Sequence, residues 1–184
     1  MSKILCMQLS NKSAKPVFTT ITPANKQIKC MLDTGADMPV WCGSEGLLKI
    51  VFPETEKADK KFLLSGFGRK PEVVDIYKIP EFFIKDEKGI LTFQNLYIAS
   101  SFGRNFGCDL ILSATMFKHM DYSILNRKRN TSVLEIKYDR DLYYTQLILN
   151  QKNSEFTEKI FSFSSVESYE SQTESGNIEI VRDF

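Results

Sequence analysis

Short apolar runs rich in β-branched and aromatic residues, each closed by turn-forming residues, recur along this chain and leave little room for helix. Residues 3–9, "KILCMQL", alternate loosely as a strand does. Residues 15–22, "KPVFTTIT", and 28–32, "IKCML", flank the turn residues "PANKQ" and predict a hairpin whose second strand delivers Asp33. Residues 61–79 form two apolar runs around Gly66-Phe67-Gly68, a long hairpin with a glycine-rich tip. Residues 80–99 predict another hairpin, with its turn at Asp86 to Gly89, and residues 121–138 a third, with Arg127-Lys128-Arg129 in its turn. The pattern predicts an all-β fold, a small closed β-barrel-like structure with one short helix.

Two places carry helical signals. Residues 43–50 read as irregular, with room for a short helical turn. Residues 108–120, "CDLILSATMFKHM", start as a buried strand and turn helical near Ser113, where Leu112, Met116 and Met120 recur at helical spacing. After a further strand at 141–149 the composition shifts. Residues 162–177 are rich in serine and glutamate and poor in aliphatics, which predicts a mobile tail. The reading is therefore a domain over residues 1–138 and a C-terminal extension over 139–184.

Composition excludes several functions. The formal net charge of +1 offers no electrostatic case for nucleic acid or an anionic membrane surface. A basic run of three in a turn reads as a solvated surface. No run approaches the roughly 20 apolar residues of a membrane span. The stretch "MSKILCMQLSNK" is too short in its apolar part for a secretory leader. The four cysteines, Cys6, Cys30, Cys42 and Cys108, show neither a Cys-x-x-Cys nor a zinc-ligand spacing. They read as reduced thiols of a cytoplasmic protein, ordinarily small buried hydrophobes.

The chemistry narrows by elimination. His119 is the single histidine, so a histidine-based triad or a histidine-rich metal site would hang on one residue. There is no Gly-x-Ser-x-Gly elbow and no phosphate-binding loop. Gly66-Phe67-Gly68 lacks the third glycine and the following helix of a dinucleotide fingerprint. No metal and no cofactor is called for, and carboxylates remain.

Asp33 is the carboxylate in the most telling place. Asp-Thr-Gly alone is ordinary turn chemistry, since Asp can cap and Gly can take positive φ. Here Cys30, Met31 and Leu32 precede the acid, so it leaves a buried strand. Ala36 follows where a larger side chain would crowd the loop, and Val40 and Trp41 open the next apolar run. Gly35 lets another backbone approach closely. Thr34 supplies a hydroxyl to a neighbouring loop.

The stretch "MLDTGADMPVW" resembles the active-site loop of the retropepsins, the retroviral-type aspartic proteases, here of a cellular or bacterial kind. The hairpin ahead of it has the family's pattern. The Gly66-Phe67-Gly68 hairpin lies where the family carries its flap. "CDLILSATMF" is similar to the late strand that crosses behind the active site, and "HMDYSIL" to the strand that follows the helix. The resemblance spans residues 1–138. It implies Asp33 as catalytic residue, Thr34, Gly35, Ala36 and Asp37 as the supporting loop, and Leu112, Ser113 and Ala114 as the second supporting loop. With a single Asp-Thr-Gly per chain, it also implies a homodimer acting on an extended peptide or protein.

The chain departs from the family at two points. Ser113-Ala114-Thr115 stands where the family carries Gly-Arg-Asn, so the arginine that would meet Asp37 is replaced by Ala114. A literal Gly103-Arg104-Asn105 occurs earlier, in what reads as a loop. The chain also runs on past the family's usual end. These departures leave an alternative open: an inactive retropepsin-like module for dimerisation or peptide binding. Val40, Trp41, Leu64 and Phe67 are candidates either for an apolar cleft or for the core.

Overall fold

The computed structural model describes residues 2–66, 69–87, 89–117, 120–127 and 131–139. The expected strand at 141–149, the tail at 162–177 and the extension beyond residue 139 lie outside them, as do Phe67, Gly68 and His119. The elements in order are β1 (Ser2–Gln8), β2 (Val17–Ile21), β3 (Gln27–Asp33), β4 (Val40–Trp41) and α1 (Glu45–Val51). They continue with β5 (Glu56–Gly66), β6 (Arg69–Lys85), β7 (Ile90–Ser100), β8 (Leu110–Ser113), a 3-10 turn (Ala114–Phe117), β9 (Asp121–Arg127) and β10 (Thr131–Asp139). The protein is all-β with one short α-helix among the described residues.

The strands divide between two sheets. One has three strands in the order β1-β10-β9, and the other has seven in the order β2-β3-β8-β4-β7-β6-β5. The expected hairpins are present: β2 with β3, β5 with β6, β6 with β7, and β9 with β10. The second and third of these share one strand, because β6 runs unbroken through Pro80. Pro80 has no N–H to give a ladder, and Asn95 on the partner strand takes positive φ (52°) between the flanking pairs Ile79–Leu96 and Glu81–Gln94.

The closed barrel is not what forms. Among the described residues neither sheet closes on itself, because β1, β9 and β10 pair in a sheet of their own and leave β2 and β5 as edges of the larger one. The larger sheet does fold over towards itself. Thr20 on edge strand β2 donates its hydroxyl to the Phe83 carbonyl of β6 at 3.0 Å, a side-chain bridge where a closed barrel would have a backbone ladder.

The helix also differs from expectation. Among the described residues, Ala114–Phe117 make a 3-10 turn after Ser113, and the α-helix is α1. Leu112 belongs to β8, so the spacing of Leu112, Met116 and Met120 records three residues of different local structure that all pack on one core. α1 (Glu45–Val51) starts where Ser44 caps it, accepting from the Leu47 N–H at 3.0 Å.

Two clusters form the core. The larger holds Trp41, Phe52, Phe82, Phe93 and Phe117 with aliphatics of both sheets. Its rings meet edge-on, for example Trp41 with Phe52 and Phe93 with Phe117. The smaller holds Met31, Met38, Val40, Leu64, Val74, Ile76 and Ile111 and joins the region around Asp33 to the β5–β6 hairpin.

Candidate active site

Asp33 is the last residue of β3, partly buried, where a strand buried at Cys30, Met31 and Leu32 reaches the surface. A run of apolar residues drives that strand into the core and stops at the acid. Beyond Asp33 the chain turns back: the Ala36 N–H reaches the Asp33 carbonyl at 3.3 Å, and the Gly35 N–H donates to Asp33 Oδ1 at 2.9 Å. The second bond is a charge-assisted one that fixes the direction of the carboxylate. A Cβ on Gly35 would stand 3.4 Å from Asp33 Oδ1, against the carboxylate itself.

The loop rests on β8. This strand runs parallel to β3, with Leu112 opposite Leu32 and Ser113 opposite Asp33. Ser113 is fully buried and donates its hydroxyl to the Ala36 carbonyl at 2.7 Å. The residues expected in the second supporting segment are thus brought to the first. Leu112 packs in the core under the loop, Ser113 holds the loop, and partly buried Ala114 opens the 3-10 turn. On its far side the loop is tied down through Pro39, whose carbonyl accepts the Ala99 N–H at 2.9 Å, and through β4, which pairs with both β7 and β8.

Thr34 and Asp37 face outward on this loop and are exposed, while Ala36 packs partly buried against the smaller core cluster. The β5–β6 hairpin stands on that same cluster through Leu64 and Val74. Its pairing is described up to Gly66 opposite Arg69. Of the four candidates for a cleft lining, Val40, Trp41 and Leu64 are core residues.

Arg104 lies in the segment between β7 and β8, where it forms an ion pair with Glu72 of β6. It therefore serves the hairpin's second strand. Sequence reading placed Ser113 in the second supporting loop through the resemblance, but not the bond it makes: its hydroxyl supplies a donor at the end of a strand. Among the described residues no group of three His, Cys, Asp or Glu is placed to hold a metal ion. No helix among them is long and apolar enough to cross a membrane.

No family model matches the chain, and neither does any curated protein. Among solved structures, a retropepsin-like aspartic protease from Rickettsia conorii aligns with 75% of this chain and 93% of its own, at 16% identity and a TM-score of 0.45. A likeness at that distance carries no residue role from one chain to the other.

Proposed function

We propose that this protein is an aspartic endopeptidase that works as a two-fold homodimer, with Asp33 of each subunit forming one water-activating pair. The observation that supports it most is the support given to a single carboxylate. Asp33 ends a buried strand, the Gly35 N–H aims it, and a buried hydroxyl on the parallel neighbour holds its loop.

Peptide hydrolysis by this route needs two facing carboxylates. Like charges a few ångströms apart cannot both ionise, so the pair holds one proton between them. The ionised member takes a proton from the attacking water. The protonated member gives its proton to the scissile carbonyl oxygen as the tetrahedral intermediate forms. Collapse of that intermediate sends a proton to the leaving amine. The apparent pKa values of such a site belong to the pair.

One chain contributes one Asp-Thr-Gly, so symmetry supplies the second. Thr34, exposed beside Asp33, braces the two loops across the dimer axis. Gly35 lines the floor, and Asp37 stands at the outer end of the loop. The tip Gly66-Phe67-Gly68 closes over an extended peptide, adding backbone hydrogen bonds and excluding water.

Mixing tests this directly. Wild-type protein at fixed concentration is titrated with the Asp33→Asn variant and allowed to exchange subunits. Shared sites predict that peptide cleavage falls towards zero as inactive mixed dimers form. Cleavage that ignores the added variant would contradict the shared site.

A further inference from the structure

Cys42 and Cys108 lie outside the carboxylate chemistry, and neither is used by it. Cys42 follows β4, and Cys108 precedes β8, at the ends of these two antiparallel strands away from Ser113 and the Asp33 loop. Their backbones are joined there, since the Cys42 N–H donates to the Asp109 carbonyl at 2.7 Å. Both side chains are buried in the smaller core cluster, both are free thiols, and the Cys42 thiol donates to the Val40 carbonyl at 3.7 Å. The two thiols are close enough to perturb each other's proton affinity. Two thiols 66 positions apart in sequence (108 − 42) thus flank the paired ends of adjacent strands.

We infer that Cys42 and Cys108 are a redox modification site, converted to a disulfide by a two-electron oxidant of the peroxide class. The bond would clamp the end of β4 to the entry of β8, at the end of these strands away from the loop that carries Asp33.

The two sulfurs differ in access, and that assigns their parts. Cys108 is the more reachable, 8% exposed against 2% for Cys42, so it is the sulfur that meets an oxidant first. The interaction between the two thiols comes first in lowering the Cys108 pKa, against burial, and in raising that of Cys42, with burial adding to it. Its neighbour Gly107 takes positive φ (78°) and has open space where a Cβ would point, which leaves room for a small oxidant beside it.

The steps balance. Cys108 sulfur attacks one peroxide oxygen and the O–O bond breaks; hydroxide leaves and is protonated to water, and Cys108 becomes a sulfenic acid. Cys42 sulfur then attacks the Cys108 sulfur and the S–O bond breaks; the departing hydroxide takes the Cys42 proton and leaves as a second water. Two thiols are oxidised and one peroxide is reduced to two waters. Cys30 is the less suited partner: it is fully buried in the other core cluster, and burial first, then the nearby Cys108, raise its thiol well above the ordinary range.

The test uses the folded full-length protein and hydrogen peroxide. After treatment the peroxide is removed, the protein is unfolded in excess N-ethylmaleimide so that remaining thiols are blocked as they become exposed, and the non-reduced digest is read by mass spectrometry. The free-thiol count falls from four to two, and one cross-linked peptide pair joins residue 42 to residue 108. That pair disappears on reduction. It is absent from Cys42→Ser and Cys108→Ser and retained in Cys30→Ser. Finding residues 42 and 108 only as separate thiols or sulfinic acids, or residue 108 joined to residue 30, overturns the assignment.

Discussion

Ser113 decides whether the candidate carboxylate is held or merely present. Its hydroxyl is buried and spends its hydrogen on the Ala36 carbonyl, so Ser113→Ala leaves that carbonyl without its donor. Losing such a bond costs about 1–2 kcal/mol. The variant is expected to unfold at lower urea concentration and to lose peptide cleavage by more than its folded fraction explains, because the loop that positions Asp33 slackens. Gly35→Ala makes the opposite separation. It keeps the N–H that aims Asp33 but puts a methyl group against the carboxylate oxygen, at an exposed position. Its urea midpoint should stay near that of the wild type while cleavage drops at least tenfold. Asp33 itself was legible in the sequence, from three apolar-rich positions before it and a Thr-Gly pair after it. Ser113 was legible as loop support only through the family resemblance, and its partner was not, because the bond runs to a carbonyl 77 positions away in the chain.

At the scale of elements, β4 and the hairpin show how local chemistry carries the site. Gly43 lies against the indole of Trp41, where a Cβ would come within 2.9 Å of the ring. Trp41 is fully buried and donates its ring N–H to the Ser44 carbonyl at 3.0 Å, so it has little freedom to yield. Gly43→Ala is therefore expected to cost about 1–3 kcal/mol, read from the shift in urea midpoint at unchanged slope. On the hairpin, Asp75 of β6 pairs with Lys57 of β5 at 2.8 Å and more loosely with Lys61. The hydrogen bond from Lys57 comes first in holding the Asp75 carboxyl below its usual value. A lowered folded pKa means that this contribution is fully present above the unfolded value, about 3.9, and fades as pH falls through the folded one. The lysines are well exposed, so Asp75→Asn should cost only a few tenths to about 1 kcal/mol at neutral pH. That difference should vanish in strong acid, as checked by urea denaturation across a pH series. Hairpins were readable from the sequence because alternation and turn residues are local signals. The helix after Ser113 was misread because helical spacing at Leu112, Met116 and Met120 also arises when a strand, a 3-10 turn and the residue closing the next turn all face one core.

For the molecule as a whole, two sheets share one large aromatic core, and the smaller cluster links the Asp33 loop to the β5–β6 hairpin. That division into sheets was beyond the sequence, since β1 finds β10 across most of the domain and nothing local marks the choice. A single Asp-Thr-Gly makes the dimer the functional unit of the proposed activity. Size-exclusion chromatography with light scattering, run at several concentrations, should show twice the mass of the 21.1 kDa chain under conditions where peptide is cut. The most direct measurement is to incubate wild type and Asp33→Asn with a diverse peptide mixture from about pH 4 to 7, a span that starts at the ordinary carboxyl range, and to read the products by mass spectrometry. The account predicts cuts by the wild type that are absent from the variant. Equal cutting by both proteins, or none by either when both are folded dimers, would contradict it.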